Sequence, residues 1–240
     1  MQANRQLTYE DTTMGRLHII STDSEPFSSR AEAGRLLAEQ LEQFRGKETV
    51  VCGIPRGGVV IARQLAETLD VPMDIVLSHK LGAPGNPELA IGAVCEDGKL
   101  FVDEVISSYV GANNSYIENE KTNQLSQMSA RVHRCREILE KVPLEGRTVI
   151  VTDDGIATGA TMQAAIWAVR QDRADRVIVA VPVGPADSIK KLAEDADEIV
   201  CLKMPPYFGA IGRFYLEFTQ VDDDELMEIL KSQSKRRGKE

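Results

Sequence analysis

Val149-Ile-Val-Thr-Asp-Asp-Gly-Ile-Ala-Thr-Gly-Ala-Thr161 carries an apolar run into two adjacent carboxylates and then into a loop of small and hydroxylated residues. Three consecutive β-branched residues, Val149 to Val151, can be apolar on both faces only in a covered sheet, so the run reads as a buried strand. From Met162 the pattern turns helical. The loop between, Gly155 to Thr161, holds no side chain larger than Ile156. Its N–H groups can therefore converge on an anion at a helix N-terminus, where the dipole favours negative charge. Thr158 and Thr161 add hydroxyl donors. Asp153 and Asp154 would repel a bare phosphate, but ionised carboxylates are strong acceptors for a vicinal diol. A diol beside a phosphate describes a ribose 5-phosphate. The competing reading is a surface turn with one Asp as a helix cap, which leaves the second carboxylate and the run of small residues unexplained.

A second loop of similar character is Cys52-Gly-Ile-Pro-Arg-Gly-Gly58, between a short apolar strand, Thr49 to Gly53, and an apolar helix, Val59 to Leu69. Its glycines allow close approach of the backbone. Arg56 is planar and permanently charged, suited to a bidentate grip on pyrophosphate oxygens. Taken alone, the segment is equally an ordinary strand-to-helix turn with a surface Arg.

The thirteen residues from Val149 to Thr161 closely resemble the signature of the type I phosphoribosyltransferases, enzymes and relatives that bind 5-phosphoribosyl-1-pyrophosphate (PRPP). In that family the two acidic residues hold the ribose 2- and 3-hydroxyls and the following loop wraps the 5-phosphate. The resemblance thus implies Asp153 and Asp154 on the diol, and Gly155, Ala157, Thr158, Gly159, Ala160 and Thr161 around the phosphate. A loop after an early strand binds pyrophosphate in the family, which matches Arg56, Gly57 and Gly58. A flexible loop beginning near His79-Lys80 closes over the family's site with basic residues. Lys80 is the better match, able to neutralise the leaving group, and stands with Asp153 and Asp154 as a catalytic candidate. His79 reads as structural or an edge contact, and Glu88 as a solvated loop residue that could touch a nucleophile or a metal. From Arg30-Ala-Glu-Ala-Gly34 through Phe208-Gly-Ala-Ile-Gly-Arg-Phe-Tyr-Leu-Glu-Phe218, the chain is similar to bacterial and archaeal proteins described only as predicted phosphoribosyltransferases.

Composition sets the outer bounds. With 240 residues, 42% hydrophobic and 27% charged, the chain can bury a full core as one domain. A formal charge of -9 argues against a nucleic-acid surface while leaving room for a local anion pocket. Cys52, Cys95, Cys135 and Cys201 have no CxxC spacing, so neither a zinc site nor a disulfide framework is expected. No apolar run approaches about 18 residues and no signal-peptide core opens the chain, which points to a cytoplasmic protein without a membrane partner. The sequence is silent on oligomeric state, and a homodimer stays open.

The remaining pattern places these loops. Arg16 to Ser21 could form an edge strand, and Ser29-Arg-Ala-Glu32 looks like a capping box ahead of Ala33, Leu36, Leu37, Leu41 and Phe44 on one helical face. Asp74 to His79 is a strand. Leu81-Gly-Ala-Pro-Gly-Asn-Pro87, with two Gly and two Pro, is expected to be a long mobile loop. Ala90 to Val94 and Leu100 to Val102 form a hairpin turning at Asp97-Gly98. Ser115 to Leu139 is the longest helix, with one narrow apolar stripe. Strand and helix then alternate: Arg147 to Thr152, Ala160 to Gln171, Arg176 to Pro182, Pro185 to Ala193 and Glu198 to Leu202. Asp222 to Glu225 caps a last helix, and Ser232 to Glu240 is a charged tail with no apolar anchor, expected to be flexible.

The expected fold is a single α/β domain over residues 1–240, a phosphoribosyltransferase-type, mostly parallel sheet flanked by helices. Its core spans about residues 28–203, with a small hood from 204–219 plus N-terminal residues. In the family such a hood chooses the base, so Tyr207, Phe208, Phe214 and Tyr215 are candidates, as a group, for stacking on a planar acceptor; aromatics plugging the hood against the sheet is the alternative. The resemblance implies transfer of a phosphoribosyl group from PRPP to a nitrogenous base. Mg2+ would ride on the donor, with Asp153 and Asp154 reaching it through water. A PRPP-binding regulator without turnover, or phosphorolysis or hydrolysis of a phosphoribosyl compound, are the rival readings.

Overall fold

A computed structural model describes residues 15–238 and, ahead of them, the backbone of Leu7–Tyr9. The strands are β1 (Leu7–Tyr9), β2 (Arg16–Ser21), β3 (Thr49–Gly53), β4 (Met73–Ile75), β5 (Ser78–Ala83), β6 (Asn86–Cys95), β7 (Leu100–Val102), β8 (Thr148–Thr152), β9 (Arg176–Val183) and β10 (Glu198–Lys203). The α-helices are α1 (Arg30–Glu39), α2 (Gly57–Leu69), α3 (Glu104–Tyr109), α4 (Asn114–Arg136), α5 (Ala160–Gln171), α6 (Ala186–Leu192) and α7 (Asp223–Arg237). Among the described residues no helix is long and apolar enough to cross a membrane.

The main sheet runs β1-β2-β10-β9-β8-β3-β4, parallel from β2 to β4, with β1 antiparallel at one edge. Alternation along each strand divides its apolar residues between two cores. Val51, Ile150, Ile178 and Val200 face α1, α2 and α7. Val50, Cys52, Val149, Val151, Val177 and Val179 face α5 and α6. Each such Val or Ile, removed from water on a covered sheet, contributes roughly 1.5–3 kcal/mol. That is why β-branched runs dominate these strands. The expected mostly parallel α/β sheet is thus observed, although Arg16–Ser21 is not the edge, because β1 lies outside it.

Several expectations along the chain need correction. Leu81 to Pro87 is not a long loop: β5 and β6 pair antiparallel across a tight turn at Pro84-Gly85, where Gly85 has φ +72°. Pro87 is tolerated because β7 pairs with β6 only from Gly92 to Val94, so its missing N–H faces no partner strand there. Gly82 lies against it, and a Cβ there would come within 2.8 Å of Pro87. Second, His79 and Lys80 do not end a strand of the main sheet; they lie within β5, an edge of the separate β5-β6-β7 sheet. Third, the chain from Ser232 is not an unanchored tail. It continues α7, held by Gln233 on Glu67 at 2.9 Å and by Arg236 on the carbonyls of Ala66 and Val71 at 3.1 Å. Lys239 and Glu240 lie outside the described residues. On α1, Leu36 is exposed rather than part of the apolar face.

The small sheet is clasped between two helices. Leu81, Ile91 and Val94 pack on Ile117 of α4, while Ala90 and Ala93 pack on Ala164 and Trp167 of α5. A register shift between Leu81 and Gly82 re-phases β6, so residues three apart share a face. Arg136, at the end of α4, fastens this layer to the main sheet. Its guanidinium bonds Asp74 at 2.6 Å, Glu96 at 2.8 and 2.7 Å, and the Ile75 carbonyl at 3.1 Å. Burial still holds the Asp74 carboxyl above its ordinary pKa despite Arg136.

Candidate active site

The ends of β3 and β8 are neighbours in register, Gly53 beside Thr152, so the two glycine-containing loops that follow them meet. The contact is intimate. A Cβ on Gly57 would fall 2.1 Å from Asp154 Oδ2, and one on Gly58 would fall 2.7 Å from the Thr152 carbonyl oxygen. Only hydrogen fits at either position, so glycine here is a packing requirement of the site. The peptide joining Pro55 to Arg56 is cis.

Asp153 and Asp154 stand at the centre. The Asp153 carboxylate accepts the Asp154 N–H at 2.8 Å and an N–H bond from Gly58. Burial, and then the neighbouring charge of Asp154, nonetheless hold the Asp153 pKa well above the usual carboxylate range. Asp154 is buried and receives Arg30 Nε at 2.8 Å. Arg30 also donates to the Thr219 carbonyl at 2.8 Å, and its guanidinium lies 3.9 Å from the Phe218 ring centroid. The Tyr215 hydroxyl donates to the Asp154 carbonyl oxygen at 2.6 Å. Arg30 and Tyr215 therefore fix the acidic pair from behind. Neither role was visible beforehand: Arg30 sits inside a capping box, where Ser29 Oγ accepts the Glu32 N–H at 3.3 Å, and a cap explains the local pattern without it.

From Gly155 the loop turns over the sheet. Gly155 is pressed against Ile211 and Val183, and the Ala157 carbonyl accepts Ser188 Oγ at 2.7 Å. Ala157, Thr158 and Thr161 are exposed. Gly159, with φ +82°, leads into α5, whose first turn carries neither a side-chain cap nor an acidic residue. By contrast, α1, α3, α4 and α7 are capped by Ser29, Asp103, Asn113 and Asp222. The N-terminus of α2, at Arg56 and Gly57, also lacks a side-chain cap. Two helix ends with unclaimed donors thus flank one acidic pair.

A cleft of about 910 Å³ opens beside them, lined by Pro55, Lys80 and Thr161 among others. It brings together the loop after β3, the small sheet and the end of the signature loop. Lys80 reaches it from β5 and pairs with Glu88 at 3.1 Å. His79 Nδ1 lies 2.9 Å from Gln124 Oε1, and Gln124 Nε2 donates to Glu120 at 2.7 Å. Because a carboxylate can only accept, the amide nitrogen faces Glu120 and the amide oxygen takes the His79 Nδ1–H. Arg56 points to Asp223 of α7, at 3.5 Å, which also meets Arg134 of α4 at 3.1 Å. Arg131, Arg134 and Asp223 line the cleft, although the sequence marks Asp223 only as part of a helix cap and the two Arg by no motif.

The aromatic residues divide. Phe214 and Tyr215 are buried, so neither offers a free face to a planar ligand. Phe214 stacks with Phe208 at 5.4 Å, and Tyr215 lies between Phe27 at 5.6 Å and Phe218 at 5.1 Å. The physical reason is core formation: Phe27 and Tyr215 are bridged backbone to backbone and close the sheet's α1 face. Tyr207 is exposed and Phe208 half-buried.

The phosphoribosyl transferase domain model matches residues 28–219. Two Mycobacterium tuberculosis proteins, called "Putative phosphoribosyl transferase Rv0571c" in strain H37Rv and "Putative phosphoribosyl transferase MT0597" in strain CDC 1551, are each 42% identical over 85% of this chain. The chain spans 46% of the length of either relative. The crystal structure of TT1426 from Thermus thermophilus is 42% identical, with a TM-score of 0.83 over 87% of this chain and 99% of that one. With two anion-ready loops meeting at an acidic pair, this chain belongs to the phosphoribosyl transferase domain family.

Proposed function

We propose that this chain transfers the 5-phosphoribosyl group of PRPP to a nitrogenous base, releasing pyrophosphate. The observation that carries the reading is the placement of Asp153 and Asp154 between the uncapped N-termini of α2 and α5. A ligand with a diol at its middle and phosphate at both ends matches that order of charges. Asp153 and Asp154 hold the ribose hydroxyls, with Arg30 keeping Asp154 in place. The amides and hydroxyls of Ala157 to Thr161 take the 5-phosphate. Arg56, Gly57 and Lys80 receive the pyrophosphate. As the C1–O bond breaks, electrons pass to the leaving pyrophosphate and C1 acquires oxocarbenium character, and cations aimed at the leaving oxygens favour that charge.

Among the described residues no cluster of three or more His, Cys, Asp or Glu side chains could hold a metal unaided. That donor set suits an ion bound chiefly by phosphate oxygens and water, with Asp153 and Asp154 reaching it through water. Mg2+ bound there would supply charge neutralisation of the leaving group. For the acceptor, exposed Tyr207 and half-buried Phe208 remain available among the four hood candidates.

The test is to incubate the protein with PRPP, Mg2+ and a panel of purine, pyrimidine and pyridine bases while following pyrophosphate release. Base-dependent release is expected. Tight PRPP binding with no release for any base would instead favour a PRPP-sensing regulator.

A further inference from the structure

Helix α4 stands outside both signature loops, yet one of its faces lines the cleft. Glu120, Gln124, Gln127, Arg131 and Arg134 recur at intervals of four and three, and all five border the cavity. The helix is seated by the apolar residues Ile117, Met128 and Cys135, of which Met128 also borders the cavity. At its C-terminal end it brings Arg134 to Asp223, which Arg56 approaches from the opposite loop.

The pairing is incomplete. Asp223 Oδ1 is buried and accepts no hydrogen bond, its approach to Arg56 being an ion pair of 3.5 Å. Asp223 is not needed as the helix cap either, since Asp222 accepts the Glu225 N–H at 2.8 Å. Arg131 makes no ion pair with any described residue. Arg56 and Arg134 therefore share one carboxylate that accepts a single hydrogen bond from them, and Arg131 stands beside them on the cleft wall, in a chain whose formal charge is -9. Such a local excess of planar, fork-shaped donors suits an anion with several oxygens on neighbouring centres.

We propose that Arg131 and Arg134 of α4 complete, with Arg56, a cationic subsite for the pyrophosphate end of the donor, and that Asp223 is the internal counterion which the ligand displaces. This rests on the PRPP reading above and adds to it the α4 wall and a competitor built into α7. On binding, pyrophosphate oxygens replace the Asp223 carboxylate on Arg134 and Arg56, and α7 keeps its cap at Asp222.

Calorimetric titration tests this with two probes, pyrophosphate in the presence of Mg2+ and ribose 5-phosphate. Arg131→Gln and Arg134→Gln are each expected to weaken pyrophosphate binding about tenfold, the loss of a hydrogen bond to a charged group, and to leave ribose 5-phosphate unchanged. Asp223→Asn is expected to tighten pyrophosphate binding by about three- to tenfold, because the competitor loses its charge. Circular dichroism checks that the surface variants are folded. Wild-type affinity in both Arg variants, or weaker pyrophosphate binding in Asp223→Asn, overturns the proposal. Wild-type protein that binds ribose 5-phosphate but no pyrophosphate overturns the subsite and leaves the diol and 5-phosphate assignment standing. Protein that binds neither probe overturns the functional reading as well.

Discussion

Replacing Arg30 with Met should expose how strongly the acidic pair depends on its one buried cation. Arg30 and Asp154 are 2.8 Å apart with side chains only 10% and 13% exposed, so the near-zero value of a surface ion pair does not apply. Removing one partner of a buried pair costs about 3–5 kcal/mol, because the other charge is left without compensation. The Thr219 carbonyl also loses a donor, about 1 kcal/mol, while the Met stem retains part of the packing on Phe218. A loss of about 3–5 kcal/mol at pH 7, in a domain of ordinary stability, leaves folded protein to measure. Urea denaturation at pH 7 is the assay. A loss of 1 kcal/mol or less would refute the reasoning.

Other consequences are as specific. Asp153 has its pKa raised by burial and by Asp154, so its protonated form is favoured in the folded state. Its contribution is therefore neutral below the unfolded carboxylate value near 4 and becomes unfavourable as pH rises toward the folded value. Asp153→Asn should flatten that slope and be more stable than the wild type at pH 8 by about 1–2 kcal/mol, read from urea midpoints between pH 5 and pH 8; Asp74, raised in the same direction, is present in both proteins and cancels. An unchanged slope would mean that Asp153 is ionised at little cost. Gly57→Ala places a methyl group 2.1 Å from Asp154 Oδ2 and should cost about 1–3 kcal/mol while weakening ribose 5-phosphate binding, measured by calorimetry. Wild-type stability and affinity in that variant would show that the loops can separate freely.

Much of the fold could be read because hydrophobic pattern and physical role coincide. The β-branched runs of β3, β8, β9 and β10 are buried on both faces, and Asp97-Gly98 turns the β6–β7 hairpin with Gly98 at φ +79°. The β5–β6 hairpin was hidden because Pro87 and Gly82 signal a loop to any local rule. Only the short reach of β7, a tertiary fact, makes Pro87 harmless within a strand. The end of α7 was hidden for another reason: Gln233 and Arg236 dock it through polar bonds, which apolar periodicity cannot register. In the candidate site, the two glycine loops announced themselves by composition. Arg30, Arg134 and Asp223 did not, since each is one charged residue among many on a helix and acquires its setting from segments distant in sequence. The aromatic group stays open in the sequence between stacking on a ligand and plugging the hood, and only the tertiary setting places Phe214 and Tyr215 in the core that Phe27 closes.

Titration of PRPP with Mg2+ into the wild type and into the Asp153→Asn, Asp154→Asn double variant tests the central claim most directly, with circular dichroism as the control for folding. Saturable binding to the wild type and no detectable binding to the double variant is the predicted result. Equal affinity in the two proteins would contradict it and remove the acidic pair from the ribose site.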